Sequence, residues 1–181
     1  MSGSSRGGED IYLVGFMTPY TLGSLLTCSS SLVTNLLPVC YEAGELNAAV
    51  GCLYCDYRGQ KEQTAEVMIG SLLRQFVRGL PEIPETITQA FYAARTQLGG
   101  RALDLAEVVE LFPAVLGHFK EVFICVDALD EFVPEYRPRF IRSLRQIVDK
   151  SPNTRLFLTG RPYIESELGN TGLPDMGIIT I

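Results

Sequence analysis

The chain has no apolar run near the roughly 20 residues that a membrane-spanning helix requires, in a sequence of 181 residues. Its N-terminus also lacks a basic segment followed by an apolar stretch and a cleavage site. These two absences exclude a helical membrane anchor and a secretory leader as readings of the sequence, and they make the cytoplasm the default compartment. A basic stripe is missing too. The net charge is −6, whereas nucleic-acid binding by counterion release needs clustered cations. Arg137, Arg139, Arg142 and Arg145 come closest to such a cluster, and their spacing reads as the solvated face of one helix. Histidine occurs once, as His118. A Ser–His or Cys–His catalytic pair therefore has little to draw on, and His118 reads as a solvated or capping residue after a helix.

What is present suits a globular domain. A hydrophobic content of 46% with 20% charged residues can fill a core over this length. Cys28, Cys40, Cys52, Cys55 and Cys125 form an odd set in mostly apolar surroundings, which fits reduced, buried thiols better than a disulfide framework. Cys52 and Cys55 make a C-x-x-C pair. On a strand, residues three apart point to opposite faces, so zinc or redox chemistry at a turn is not the expected reading.

Residues 1–10 are rich in Ser and Gly and read as a disordered tail. Residues 11–16 form a short apolar run, and residues 22–37 are helix-permissive up to Pro38. Residues 52–57 are rich in β-compatible side chains between Gly51 and Gly59 and predict a buried strand. Ala65, Met68, Ile69, Leu72, Leu73 and Phe76 then recur every three or four positions, predicting a helix with one apolar stripe. A more polar helix follows over residues 85–98. A third begins at Asp104, where Glu107 completes a capping-box pattern, and carries Pro113 as a potential kink.

Residues 122–126 are continuously apolar and end at Asp127, which suits a central parallel strand. Phe140, Ile141, Leu144, Ile147 and Val148 repeat the helical period. Residues 155–159 read as a further strand, and residues 177–181 as a last candidate. Alternating strands and helices imply a parallel sheet with helices on both faces.

Asp127-Ala128-Leu129-Asp130-Glu131 puts three carboxylates at the C-terminal edge of that central strand, the edge where open α/β sheets place their ligands. One carboxylate there can hold Mg²⁺, and a second can orient water toward a γ-phosphate. The competing reading is an acidic first turn of a helix. The next strand ends in Thr159-Gly160-Arg161-Pro162. Its guanidinium can sense a phosphate, or it can pair structurally with Asp130 or Glu131.

Taken together, Gly51-Cys52-Leu53-Tyr54-Cys55-Asp56-Tyr57, Gln63-Thr64-Ala65, Leu72-Leu73-Arg74-Gln75, Val126-Asp127-Ala128-Leu129-Asp130-Glu131 and Leu156-Phe157-Leu158-Thr159-Gly160-Arg161-Pro162 resemble the NACHT-type NTPase domains of fungal signalling proteins, also known as nephrocystin-like N-terminal domains. The resemblance runs from Val50 to about Ser166. The family usually has Ser at the position of Gly160 and often Cys at that of Phe132, and neither change touches a phosphate contact.

The resemblance implies an α/β fold, a three-layer P-loop NTPase-like parallel sheet flanked by helices, over residues 11–181. It also implies ATP or GTP with Mg²⁺ as cofactors, and a homo- or hetero-oligomer with NACHT proteins on activation. Carried over by position, Asp127 is the Walker B carboxylate for the metal, Asp130 with Glu131 the water-polarising pair, and Arg161 the sensor residue.

One part of the pattern is missing. A phosphate-binding loop needs wrapping glycines, a Lys and a Ser/Thr, yet no lysine precedes Lys61. The best positional match, Met17-Thr18-Pro19-Tyr20-Thr21-Leu22-Gly23, has one glycine and no cation. The fold is therefore expected to be truncated or degenerate at its N-terminal strand and loop, and hydrolysis to be lost. Two accounts of the loss stand: a degenerate domain, or an incomplete or misread product in which the segment before Leu32 replaces the true loop. The likeness of residues 30–37 to the helix that follows the loop in the family favours the second. Two functions stand as well. One is a nucleotide-binding signalling fragment, the other a non-catalytic module that docks onto complete relatives.

Overall fold

The computed structural model describes residues 12–15, 47–59, 62–97, 99–161, 163–169 and 177–180. The expected tail at 1–10, the loop candidate at 17–23 and the helix at 22–37 lie outside them. The strands are β1 (Tyr12–Gly15), β2 (Ala48–Tyr54), β3 (Glu121–Asp127), β4 (Thr154–Gly160) and β5 (Gly177–Thr180). The helices are α1 (Ala65–Arg78), α2 (Glu85–Thr96), α3 (Leu105–Leu116), α4 (Arg137–Lys150) and α5 (Ile164–Gly169). The result is the expected α/β fold, a parallel sheet flanked by helices.

The sheet order is β2-β3-β4-β1-β5. Strands β2, β3 and β4 are parallel, with Cys52 opposite Cys125, Tyr54 opposite Asp127 and Val126 opposite Leu158. Strand β1 departs from the all-parallel expectation, because it lies antiparallel to both β4 and β5. Hydrophobic pattern says which residues are buried, not which way a strand runs, and a four-residue strand carries no other cue. Its direction has a consequence. Tyr12 faces Gly160 and Gly15 faces Phe157, so the chain leaves β1 heading away from the strand ends that carry the acidic residues.

Strand β2 starts four residues before the predicted run and stops at Tyr54, with Tyr57 opening a 3-10 turn instead. Helix α1 buries the six residues its periodicity singled out. Thr64 caps it by accepting from the Val67 N–H at 3.3 Å. The capping box of α3 is formed in both directions, with Asp104 and Glu107 each accepting the other's backbone N–H at 2.8 and 2.9 Å, and that helix runs unbroken through Pro113.

Helices α1, α3 and α4 pack on one another and bring the sheet into one core. Two details seat α1 on β2. Gly51 has no side chain because a Cβ there would lie 2.6 Å from Leu72 Cδ1 and from Phe76 Cζ. β2 is also an edge strand, and its outward-facing Cys52 backbone is completed by Gln75. The Gln75 amide accepts from the Cys52 N–H and donates to the Cys52 carbonyl, both at 2.8 Å. A side-chain amide thus stands in for the next strand and closes part of an exposed edge.

Two substitutions test this seating by urea denaturation. Gly51→Ala is expected to lower stability by about 1–3 kcal/mol through overpacking. Gln75→Ala is expected to cost about 1–3 kcal/mol by leaving a backbone donor and acceptor unmet. Unchanged midpoints would show that α1 is held by other contacts.

Candidate functional site

The strand ends bring the four predicted residues to one rim. Asp127 is the last residue of β3, and Arg161 directly follows the last residue of its parallel neighbour β4. Asp127 is half-buried. Its Oδ1 accepts a short hydrogen bond from the Thr159 hydroxyl. The same hydroxyl oxygen accepts from the Ala128 N–H at 2.9 Å. Thr159 therefore fixes both the carboxylate and the turn that follows it, while the Asp127 carbonyl accepts from the Cys55 N–H at 3.0 Å.

Ala128 adopts a left-handed backbone conformation, with φ 54° and ψ 46°. This costs a non-glycine residue roughly 1–2 kcal/mol, and such departures gather where the chain must be re-aimed. Here the reversal leads into the 3-10 turn Leu129–Glu131. Leu129 and Phe132 are fully buried on either side, and Phe132 stacks on Phe140 of α4 at 4.8 Å. The buried pair pins the turn, so Asp130 and Glu131 stay at the rim.

Both carboxylates are engaged. Asp130 is only 9% exposed; it accepts from the Arg161 N–H at 3.3 Å and is ion-paired with Arg161 Nε at 3.4 Å. The Arg161 side chain is 57% exposed. Glu131 Oε2 accepts from the Tyr57 N–H at 3.2 Å. The rim is strongly acidic in effect. The Tyr54 phenol, itself exposed, is pushed above its usual pKa first by Glu131, then by burial, Asp127 and Asp56. Cys55 is fully buried, and its thiol is pushed up to about 12, chiefly by that burial and next by Asp127.

Among the described residues, no group of three or more His, Cys, Asp or Glu side chains is placed to hold a metal ion. Mg²⁺ commonly takes only one or two carboxylates and completes its octahedron with phosphate oxygens and water, so a single strand-end carboxylate such as Asp127 is chemically compatible with it.

Arg137 was counted with the solvated arginines in the sequence, and the structure corrects that. Its side chain is 2% exposed. One guanidinium nitrogen donates to both Glu167 carboxylate oxygens at 2.8 Å. The other donates to the carbonyls of Asp130 at 3.0 Å and Phe132 at 2.7 Å. It thereby ties the acidic turn to α5. A signal existed in the sequence: Arg137 opens α4, where the helix dipole disfavours a cation, so another partner had to compensate. Arg139 does lie at the surface, paired with Glu66 at 2.7 Å. Thr159 and Gln75 stood inside the motifs without an assigned role. Their roles depend on which strand lies alongside, which spacing along the chain does not reveal. Asp56 begins a loop, accepting from the Arg58 N–H at 2.9 Å, and His118 is exposed.

A family model described as Nephrocystin 3, N-terminal matches residues 26–161. No curated protein matches the chain. Among solved structures, a Walker-type ATPase of Pyrococcus abyssi aligns with 70% of this chain at 15% identity and a TM-score of 0.35, and the chain spans 43% of that structure.

Replacing Arg137 by Met is expected to destabilise the protein by about 3 kcal/mol, because two carbonyls and a carboxylate lose a charge-assisted donor. Arg137→Lys should recover only part of this, since a point charge cannot reproduce the fork. Arg142→Ala, at an exposed position of the same helix, should stay within about 0.5 kcal/mol. Equal losses for Arg137→Met and Arg142→Ala would refute the tie.

Proposed function

The chain belongs to the Nephrocystin 3, N-terminal family, and from that membership we propose that it is a nucleotide-binding signalling domain of the NACHT type whose hydrolytic step is disabled. The observation that supports this best is the convergence of Asp127, Asp130, Glu131 and Arg161 on one rim at the C-terminal ends of two adjacent parallel strands. In this reading Asp127, seated by Thr159, offers one carboxylate oxygen to Mg²⁺. A bound metal would supply charge neutralisation at the phosphates.

The phosphates themselves fit less well. No lysine precedes Lys61, and the loss of that charge-assisted contact is worth about 1.5–3 kcal/mol, or roughly ten- to a hundredfold in affinity. Of the two carboxylates that would polarise water, Asp130 is paired with Arg161 and Glu131 accepts from the Tyr57 N–H on one oxygen, so Asp130 must give up an ion pair before it can act as a base. Arg161 has two states in this reading: paired with Asp130, or released toward a phosphate.

Isothermal titration with Mg²⁺ and ATP or GTP tests the proposal. A dissociation constant of roughly 0.1–1 mM is expected, lost in Asp127→Ala, with no phosphate release above the buffer rate. Binding that ignores Asp127→Ala would remove the rim from the site. Steady release of phosphate would overturn the disabled step, and no heat at all with either nucleotide would overturn nucleotide binding.

A second reading has its own support. Ile83, Phe91 and Tyr92 are exposed on and just before α2, where an interaction module would keep apolar contacts for a complete relative. Light scattering of the chain mixed with such a relative discriminates: a mixed oligomer that forms without nucleotide favours this reading.

A further inference from the structure

Cys52 and Cys125 are direct cross-strand partners on the parallel pair β2 and β3. Neighbouring strands lie about 4.8 Å apart, and residues in register project to the same face. That spacing lies within the about 4.4–6.8 Å between Cα atoms that a disulfide spans. Along the chain Cys52 and Cys55 make a C-x-x-C pair, but residues three apart on a strand point to opposite faces. The sheet register supplies a different partner for Cys52, 73 positions along the chain.

The three described thiols differ in character. Cys55 is fully buried with its pKa pushed up to about 12, so it stays a thiol. Cys125 is buried and Cys52 is half-buried. The Cys125 thiol hydrogen-bonds the Cys52 sulfur and lowers the Cys52 pKa, against an opposing push from burial. Cys52 therefore combines partial solvent access with a lowered pKa, two properties that favour a reactive cysteine, and it has Cys125 directly opposite it in the sheet.

We propose that Cys52 and Cys125 form a reversible dithiol–disulfide site, oxidised by small hydroperoxides, that fastens β2 to β3 one alternation below the acidic rim. The Cys52 thiolate attacks a peroxide oxygen and breaks the O–O bond, becoming a sulfenic acid as the peroxide leaves as water after protonation. The Cys125 sulfur then attacks the sulfenic sulfur, an S–S bond forms, and the hydroxyl departs as a second water with the Cys125 proton. Two thiols and one hydrogen peroxide thus give one disulfide and two waters. A dithiol reverses the change by exchange. The inference stands on the register of the sheet and does not depend on nucleotide binding.

The test treats the full chain with hydrogen peroxide, blocks remaining thiols in denaturant, and maps peptides after chymotrypsin, which cuts at Tyr54 between Cys52 and Cys55. The expected product is a linked pair containing Cys52 and Cys125, lighter by two hydrogens, with loss of two of the five titratable thiols and full recovery after dithiothreitol. Cys55→Ser should leave the link intact, and Cys125→Ser should halt Cys52 as a sulfenic acid that dimedone traps. If Cys125→Ser does not fold, the wild-type map decides alone. Alkylation of both residues after peroxide, wild-type Cys52 recovered as sulfinic acid, or a link from Cys52 to Cys28, Cys40 or Cys55 would each overturn the proposal.

Discussion

The buried guanidinium of Arg137 is the contact on which the arrangement of the rim depends. A cation at a helix N-terminus and out of water is unfavourable on two counts, the dipole and desolvation. It is tolerated because its fork reaches two carbonyls of the acidic turn and both oxygens of Glu167. The turn after β3, the start of α4 and the helix α5 are consequently one unit. Moving any of them parts a buried charge from its partners.

That unit explains how a short acidic stretch is held at a sheet edge. Ala128 bends the chain through a left-handed residue, Leu129 and Phe132 sink into the core, and Thr159 reaches across from β4 to hold Asp127 and the Ala128 N–H together. Each carboxylate is then disposed of differently. Asp127 meets a neutral hydroxyl, Asp130 a guanidinium and Glu131 a backbone N–H. A carboxylate that accepts from a hydroxyl on one oxygen keeps acceptor capacity on the other, whereas an ion pair must be broken before Asp130 can serve a ligand. The geometry thus sets Asp127, which keeps an acceptor oxygen, apart from Asp130, which is held in an ion pair.

Beyond β4 the sheet departs from a purely parallel arrangement. Strand β1 occupies the position beside β4, yet its reversed direction carries the chain away from the acidic rim.

Much of the fold was legible in the residues because burial imposes a period. The stripe of α1, the capping box of α3 and the apolar run into Asp127 each follow from local physics, and each matches the structure to within a few residues. The rim itself was half legible: carboxylates and a guanidinium at the ends of two apolar runs meet if those strands are parallel neighbours. Contacts across the sheet were not legible. Gln75 completing the β2 edge, Thr159 seating Asp127, Arg137 buried rather than solvated and Cys125 opposite Cys52 all depend on which strand lies beside which, and in what register. Hydrophobic period determines the face a residue takes; only the assembled sheet decides its neighbour, because strand pairing joins residues that are tens of positions apart along the chain.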